Sequence, residues 1–126
     1  MICESDASSL EKMLLSGQID MAITSLPLRS KYIQYKEYLR DRFVVLLRRG
    51  SPLIEKYSTA PDGGRVIRMT DLQDEPIACT FPGQRSRIIT DAIFLRAHIR
   101  PNIVMETRNI STLRFFADQG NCIGVC

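Results

Sequence analysis

Short apolar strands and amphipathic helices alternate through the second half of the chain, and this order restricts the possible folds more than any other feature. Strands are predicted at Ile77–Thr80, Ile103–Thr107 and Ile123–Cys126. Apolar residues at helical spacing predict one helix over Ser86–His98 and another within residues 109–120. Strands that alternate with helices in this way predict an α/β fold with a mostly parallel, doubly wound sheet and helices on both faces.

The first half of the chain carries weaker signals. Ser8 and Glu11 have the spacing of a capping box, and the helix that they open is predicted to end at Gly17. A short strand is predicted next, at Ile19–Thr24. The continuous apolar run Phe43–Leu47 predicts a strand that is covered on both faces. The remaining elements are expected in this order: a weak strand at Tyr32–Leu39, a helical turn around Leu53–Tyr57, a turn at Gly63–Gly64, an extended piece at Arg65–Met69 and a helical turn that begins at Thr70.

The composition is that of one globular domain, with 126 residues of which 44% are hydrophobic and 25% charged. The apolar runs are far shorter than the roughly 20 residues of a membrane span, and the first residues lack the pattern of a secretory signal. A cytoplasmic protein without membrane contact is therefore expected. The net charge of +3 comes from basic residues scattered along the chain, which predicts an ordinary solvated surface or an anionic ligand rather than a nucleic-acid interface.

The cysteines and the histidine do not form a recognisable metal or catalytic pattern. Cys3, Cys79, Cys122 and Cys126 include no C-x-x-C pair, and His98 is the only histidine. No metal or other cofactor is therefore expected, and all four thiols are predicted to be reduced. The sequence has no G-x-S-x-G elbow, P-loop or paired carboxylates at catalytic spacing, so it predicts no catalytic residues and no enzyme activity.

The predicted topology also indicates where a ligand would bind. In a doubly wound sheet, ligands bind beyond the carboxyl ends of the strands, where the strand order reverses. Hydroxyl groups in the loops there can donate to a carboxylate, the start of a helix favours an anion, and an aromatic ring can contact the body of a ligand. The predicted ligand-binding residues are Thr24, Ser25, Thr80, Phe81, Pro82, Gly83, Gln84, Arg85, Ser86, Thr107 and Asn109.

Structural explanations compete for several of these residues. The residues that can equally cap a helix are Thr80, Ser86 and Asn109. Surface charge is the favoured explanation, over ligand contact, for each of the three arginines Arg85, Arg87 and Arg108. Phe81 and Phe116 are expected in the core rather than in a pocket, and His98 near the C-terminus of its helix. Glu106 lies just inside its strand and can point toward the site, where its charge would oppose an anion, or away from it.

Five stretches resemble, in order and spacing, the effector-binding region of LysR-type bacterial transcription regulators. The first stretch, Leu14–Ile23, is the end of a helix, a glycine and then Ile-Asp-Met-Ala-Ile, and the second, Phe43–Leu53, is a strand followed by Ser-Pro-Leu. The third is Asp71-Leu72 before the strand at Ile77, and the fourth is Arg87–Phe94 in the next helix. The fifth, Ala117–Val125, contains Ala-Asp-Gln-Gly followed by Ile-Gly-Val. One departure is Asn121–Cys122, which replaces the small or apolar pair that the family usually has after this glycine.

The resemblance implies a type 2 periplasmic-binding-protein-like fold in which a small effector, often an organic anion, lies between two lobes. It implies one incomplete effector-binding domain, with residues 1–26 in the first lobe, 27–120 in the second and 121–126 as a strand returning toward the first. It also implies a homodimer or homotetramer, paired through the helices near Leu10–Ser16 and Ser86–His98. DNA would be contacted only through a helix-turn-helix that is absent from this chain. The alternative is a solute-binding protein of a transporter with the same fold.

Overall fold

A computed structural model describes residues 2–126. The chain forms two compact units, one that ends at Arg42 and one that covers Phe43–Cys126. The assignment of residues 1–26, 27–120 and 121–126 to lobes stays a prediction. No helix within the described residues is long and apolar enough to cross a membrane.

The first unit contains one helix, α1 (Ala7–Leu15). The predicted capping box is wrong, because the N-cap is Asp6, whose carboxylate accepts the N–H groups of Ser8 and Ser9 at 3.0 Å each. An aspartate is a stronger acceptor than a serine hydroxyl at this position. Glu11 is buried and accepts the N–H groups of Arg29 and Ser30 at 3.0 and 3.2 Å, so it holds a loop of the same unit rather than the start of the helix.

The strands predicted in the first unit are not formed. Neither Ile19–Thr24 nor Tyr32–Leu39 pairs with a strand among residues 2–126. Alternation of apolar residues produces a strand only where a second backbone is available to complete the ladder. Met21 and Ile23 are consequently 82% and 85% exposed.

The second unit is an α/β layer structure, as predicted. Its regular elements are β1 (Val45–Leu46), β2 (Ser58–Thr59), β3 (Arg65–Val66), β4 (Pro76–Thr80), α2 (Arg85–Arg96), β5 (Asn102–Thr107), α3 (Ile110–Asp118) and β6 (Ile123–Val125), with short 3-10 helices at Pro52–Lys56 and Met69–Leu72. The main sheet has the order β1-β6-β4-β5, in which β4 runs parallel to β5 and β6, and β1 runs antiparallel to β6. A separate hairpin joins β2 and β3.

The core lies on both faces of this sheet. Alternate residues of β4 point to opposite faces: Ile77 and Cys79 pack in a cluster with Phe94 of α2, and Ala78 packs with Leu113 of α3. The strand predicted at Phe43–Leu47 is shorter than expected and is not covered on both faces. It lies at the edge of the sheet with one neighbour only, which leaves its residues partly exposed.

Each of the two α-helices of the second unit is followed by a residue with a positive φ, in the left-handed region. Gly120 has φ 78° after α3 and supplies the predicted turn, and a Cβ at this position would overlap with the Arg48 side chain. Cys122 is buried beyond it, so the unusual Asn121–Cys122 pair does not disturb the turn. His98 takes the equivalent position after α2 with φ 55°, where its N–H donates to Leu95 and the next N–H donates to Phe94. It therefore lies beyond the helix rather than in its last turn.

Candidate functional site

The predicted ligand-binding residues come from three loops of the chain, and the carboxyl ends of β4 and β5 bring two of these loops together. Thr80 is in register with Thr107, and the N–H of Phe81 donates to the carbonyl of Thr107 at 2.8 Å. Residues 80–86 and 107–109 thus form one cluster at the start of α2. Thr24 and Ser25, from the third loop, belong to the first unit and lie in a segment without regular secondary structure.

The hydroxyl groups of this cluster bond to each other. Thr80 is buried and its Oγ1 lies 2.7 Å from the Oγ of Ser86, while Thr90 donates to the carbonyl of Ser86 at 2.9 Å. The N-cap residue of α2 is Gln84, whose own side chain makes no capping hydrogen bond. Asn109, in contrast, does cap α3 by accepting the N–H of Ser111 at 2.8 Å. The capping explanation is therefore confirmed for Asn109, whereas Thr80 and Ser86 form a hydroxyl pair.

The Phe81 side chain lies at the surface of the cluster. It is 39% exposed, so the expectation of a core position is wrong, and Phe116 is similarly exposed. The guanidinium of Arg108 lies 4.7 Å above the Phe81 ring, a cation–π contact. The Gln84 amide fixes this arrangement, because its Oε1 accepts the N–H of Phe81 at 3.0 Å and its Nε2 donates to the carbonyl of Arg108 at 3.4 Å.

Arg87 links α2 to both strands of the site. Its Nη1 donates to Glu106 at 2.6 Å and to the carbonyl of Thr80 at 3.1 Å, and its Nε donates to Asp91 at 2.7 Å. Burial opposes the charged form, but the hydrogen bonds to Glu106 and Asp91 outweigh it and raise the pKa of Arg87 above its ordinary value. Glu106 points toward α2, where this cation compensates its charge.

Sequence reasoning missed this ion cluster. Arg87 was expected at the surface, yet its side chain is only 11% exposed. The spacing of Arg87 and Asp91, four residues apart on one helix, indicates an ion pair. The pairing with Glu106 depends on the register between β4 and β5, which places Glu106 beside Cys79, and the sequence carries no local signal for that register.

The cysteine beside this cluster is an unreactive thiol. Cys79 is fully buried, and its burial raises its pKa to about 11, although Arg87 acts in the opposite direction. Cys3, Cys79, Cys122 and Cys126 are all free thiols, as predicted. Among residues 2–126 no group of three or more acidic, cysteine or histidine side chains is arranged to hold a metal ion.

We expect the alkylation of Cys79 by iodoacetamide at pH 8 to be slower than that of the exposed Cys3 by at least about a hundredfold. Only about one in a thousand Cys79 thiols is ionised at this pH if its pKa is about 11, and only the thiolate reacts. Between pH 7 and 9 the Cys79 rate should rise about tenfold per unit. Mass spectrometry of labelled peptides measures both rates, and equal labelling of the two cysteines at pH 8 would contradict the buried position.

An open groove of about 630 Å³ lies elsewhere on the second unit, between β1 and α3. Its lining residues are Val45, Leu46, Leu47, Ser111, Arg114, Phe115, Ala117 and Asp118. None of them belongs to the predicted ligand-binding set. The strand-end cluster gathers hydroxyl, amide and guanidinium groups at one point, whereas the groove is widely open.

The chain is similar to one protein family and to several solved structures. A sequence model of the family described as LysR substrate binding domain matches residues 2–126. No curated protein sequence matches the chain. The effector-binding domain of QuiR in complex with shikimate is similar with a TM-score of 0.79 at 18% identity, covering 97% of this chain and 55% of that structure.

Two further structures have a similar fold. The effector-binding domain of a BenM variant has a TM-score of 0.79 at 20% identity, covering 97% of this chain and 55% of that one. HinK, a LysR family transcriptional regulator from Pseudomonas aeruginosa, has a TM-score of 0.75 at 21% identity, covering 99% of this chain and 40% of that one. The chain therefore spans about half the length of the structures that it resembles, and at these identities the likeness concerns the fold.

Proposed function

This chain belongs to the LysR substrate-binding domain family, and on that premise we propose that it is the ligand-sensing and oligomerising part of a cytoplasmic LysR-type transcription regulator. The family consists of transcription regulators rather than enzymes. In the proposed regulator, a small anionic metabolite shifts the balance between two arrangements of the subunits. DNA is contacted through a helix-turn-helix domain outside these 126 residues. The family match favours this function over that of a transporter's solute-binding protein.

The proposed effector contacts lie at the carboxyl ends of β4 and β5. They are residues 80–86, Thr107 and Asn109, and the inclusion of Thr24 and Ser25 stays a prediction. The observation that carries this proposal is the position of the hydroxyl pair, Thr80 and Ser86, at the start of α2, where the side chain of the N-cap residue Gln84 makes no capping hydrogen bond. Backbone N–H groups at such a start favour an anion, and the exposed ring of Phe81 offers an apolar surface for the body of the ligand.

The charges around the cluster are consistent with an anionic effector. The guanidinium of Arg108 lies over the Phe81 ring at the edge of this cluster. Glu106, the acidic residue nearest to the site in the sequence, forms its ion pair with Arg87, which also binds the carbonyl of Thr80. A negative ligand would therefore meet a compensated carboxylate rather than an isolated one.

We expect Thr80→Ala and Ser86→Ala each to weaken the binding of a small carboxylate by about 1 kcal/mol, because each removes a hydroxyl that can donate to a charged oxygen. Isothermal titration with a panel of organic acids, including the shikimate found in the QuiR structure, measures the effect. Ser58→Ala on the exposed strand β2 is a matched control and should leave the affinity unchanged. Unchanged affinity in both site variants would mean that Thr80 and Ser86 only bond to each other.

We further propose a homodimer or homotetramer in which α1 of one subunit packs against α2 of another. The outer face of α2 carries Ile88 and Leu95, which are 43% and 76% exposed, and α1 carries the half-exposed Leu15. Exposed apolar side chains at helical spacing are typical of helix–helix interfaces between subunits.

A further inference from the structure

The two hydroxyl groups at the start of α2 differ in how much solvent reaches them. Thr80 is 2% exposed and Ser86 is partly exposed, and their side-chain oxygens lie 2.7 Å apart. Each hydroxyl carries one proton, and only one of these two protons can lie between the two oxygens. The other proton needs an acceptor elsewhere, so the surroundings of the two residues decide which hydroxyl donates to the other.

Thr80 has no second acceptor for its hydroxyl proton among residues 2–126, where the Oγ of Ser86 is the only hydrogen-bond partner of its Oγ1. A residue that is 2% exposed also has almost no contact with water. If Ser86 donated to Thr80, the Thr80 proton would be buried without an acceptor, which is strongly unfavourable. Thr80 therefore donates to Ser86, and the proton of Ser86 is directed toward solvent.

Hydrogen bonds to the backbone hold this pair in place. Arg87 Nη1 donates to the carbonyl of Thr80 at 3.1 Å, and the hydroxyl of Thr90 donates to the carbonyl of Ser86 at 2.9 Å. A hydroxyl that accepts a hydrogen bond is also a stronger donor, because hydrogen bonds in a chain polarise each other. The first N–H groups of α2, which have no partner within the helix, lie at the same point.

We propose that Ser86 donates its hydroxyl proton to a carboxylate of the effector, and that Thr80 is a positioning residue that does not contact the effector. One carboxylate oxygen accepts from the Oγ of Ser86, and the other accepts from a backbone N–H at the start of α2. The contact with an effector rests on the proposed function, whereas the order of the two protons does not.

The order of the protons predicts an asymmetry in stability that needs no ligand. Ser86→Ala leaves the buried Thr80 proton without an acceptor and should lower the midpoint of thermal unfolding by about 5 °C or more. Thr80→Val keeps the shape of the side chain and leaves a Ser86 hydroxyl that water can reach, so the midpoint should fall by less than about 2 °C. When residue 80 is already valine, Ser86→Ala should have little further effect. Ser111→Ala, at the same position of α3 and exposed, is the matched control.

Acetate is the probe for binding, and its dissociation constant follows from the concentration dependence of the residue 86 amide signal in ¹⁵N–¹H correlation spectra. Ser86→Ala should raise this constant about fivefold, because a donor to a charged oxygen is lost. Thr80→Val should raise it about threefold, because the Ser86 hydroxyl loses its fixed direction, and Thr80→Ser should keep it within about twofold. In the Ser86→Ala background, Thr80→Val should have no further effect on binding.

Each measurement can contradict a separate part of the proposal. A larger loss of stability in Thr80→Val than in Ser86→Ala would overturn the order of the protons. Effects of the two substitutions on acetate binding that simply multiply would mean that Thr80 contacts the ligand itself, which would overturn its positioning role. If acetate shifts no amide signal of the original chain, the proposed effector site and the Ser86 contact both fail, and the stability measurements still decide the order of the protons.

Discussion

Replacement of Gly124 by alanine is expected to lower the free energy of unfolding by about 2–3 kcal/mol and the midpoint of thermal unfolding by roughly 10 °C. Gly124 lies in β6, at the centre of the sheet, where a Cβ would overlap with Cδ2 of Leu113 and press on Leu46. Leu113 is fully buried between α3 and the sheet, so it cannot rotate away without opening the core. Thermal and urea unfolding measure the loss.

A double-mutant cycle identifies the cause of that loss. Leu113→Ala alone should cost about 3 kcal/mol, because it leaves a cavity under α3. In the double variant the new methyl group occupies part of that cavity, so the combined loss should be clearly smaller than the sum of the two single losses. Additive losses would mean that the close approach of α3 to β6 is not what requires glycine.

Replacement of Arg87 by methionine is expected to weaken carboxylate binding at the strand-end cluster about tenfold. The substitution keeps the apolar stem but removes the cation that compensates Glu106. An uncompensated negative charge near a bound anion costs about 1–2 kcal/mol in a partly solvated site. Isothermal titration with the same panel of acids measures the affinity. The free energy of unfolding should also fall, but by less than the binding free energy, because Glu106 and Asp91 are partly exposed and remain hydrated.

Two variants separate this electrostatic effect from a loss of structure. Arg87→Met combined with Glu106→Gln removes both charges and should recover most of the affinity. Arg96→Met removes a positive charge from the exposed end of the same helix and should change the affinity little. If Arg87→Met binds as tightly as the original chain, or the double variant shows no recovery, the carboxylate of Glu106 does not influence the ligand.

The second unit could be predicted from the sequence because its signals are local. β4, β5 and β6 are short apolar runs bounded by turn residues. α3 has its cap, Asn109, and its stop, Gly120, directly at its ends. Each signal acts within a few residues, so a single sequence is enough to locate the element and to infer the parallel sheet.

The errors concern contacts between distant residues. Glu11 was assigned to a helix cap, but its partners are the amides of Arg29 and Ser30. The strand predicted at Ile19–Thr24 has the right alternation but lacks a neighbour to pair with. At the site, the loops that meet could be inferred from the topology alone, whereas the ion pair from Arg87 to Glu106 depends on packing and register that no local pattern encodes.

The position of β6 between β1 and β4 has a consequence for folding during synthesis on the ribosome. Val45 pairs with Val125, 80 residues further along the chain, so β1 has no place in the sheet until that residue has left the ribosome. At about 5–20 residues per second, the ribosome needs roughly 4–16 s to add this stretch. During that interval the apolar run around β1 is available to chaperones and to neighbouring nascent chains. Closure of so long a loop also favours slow folding of the finished chain.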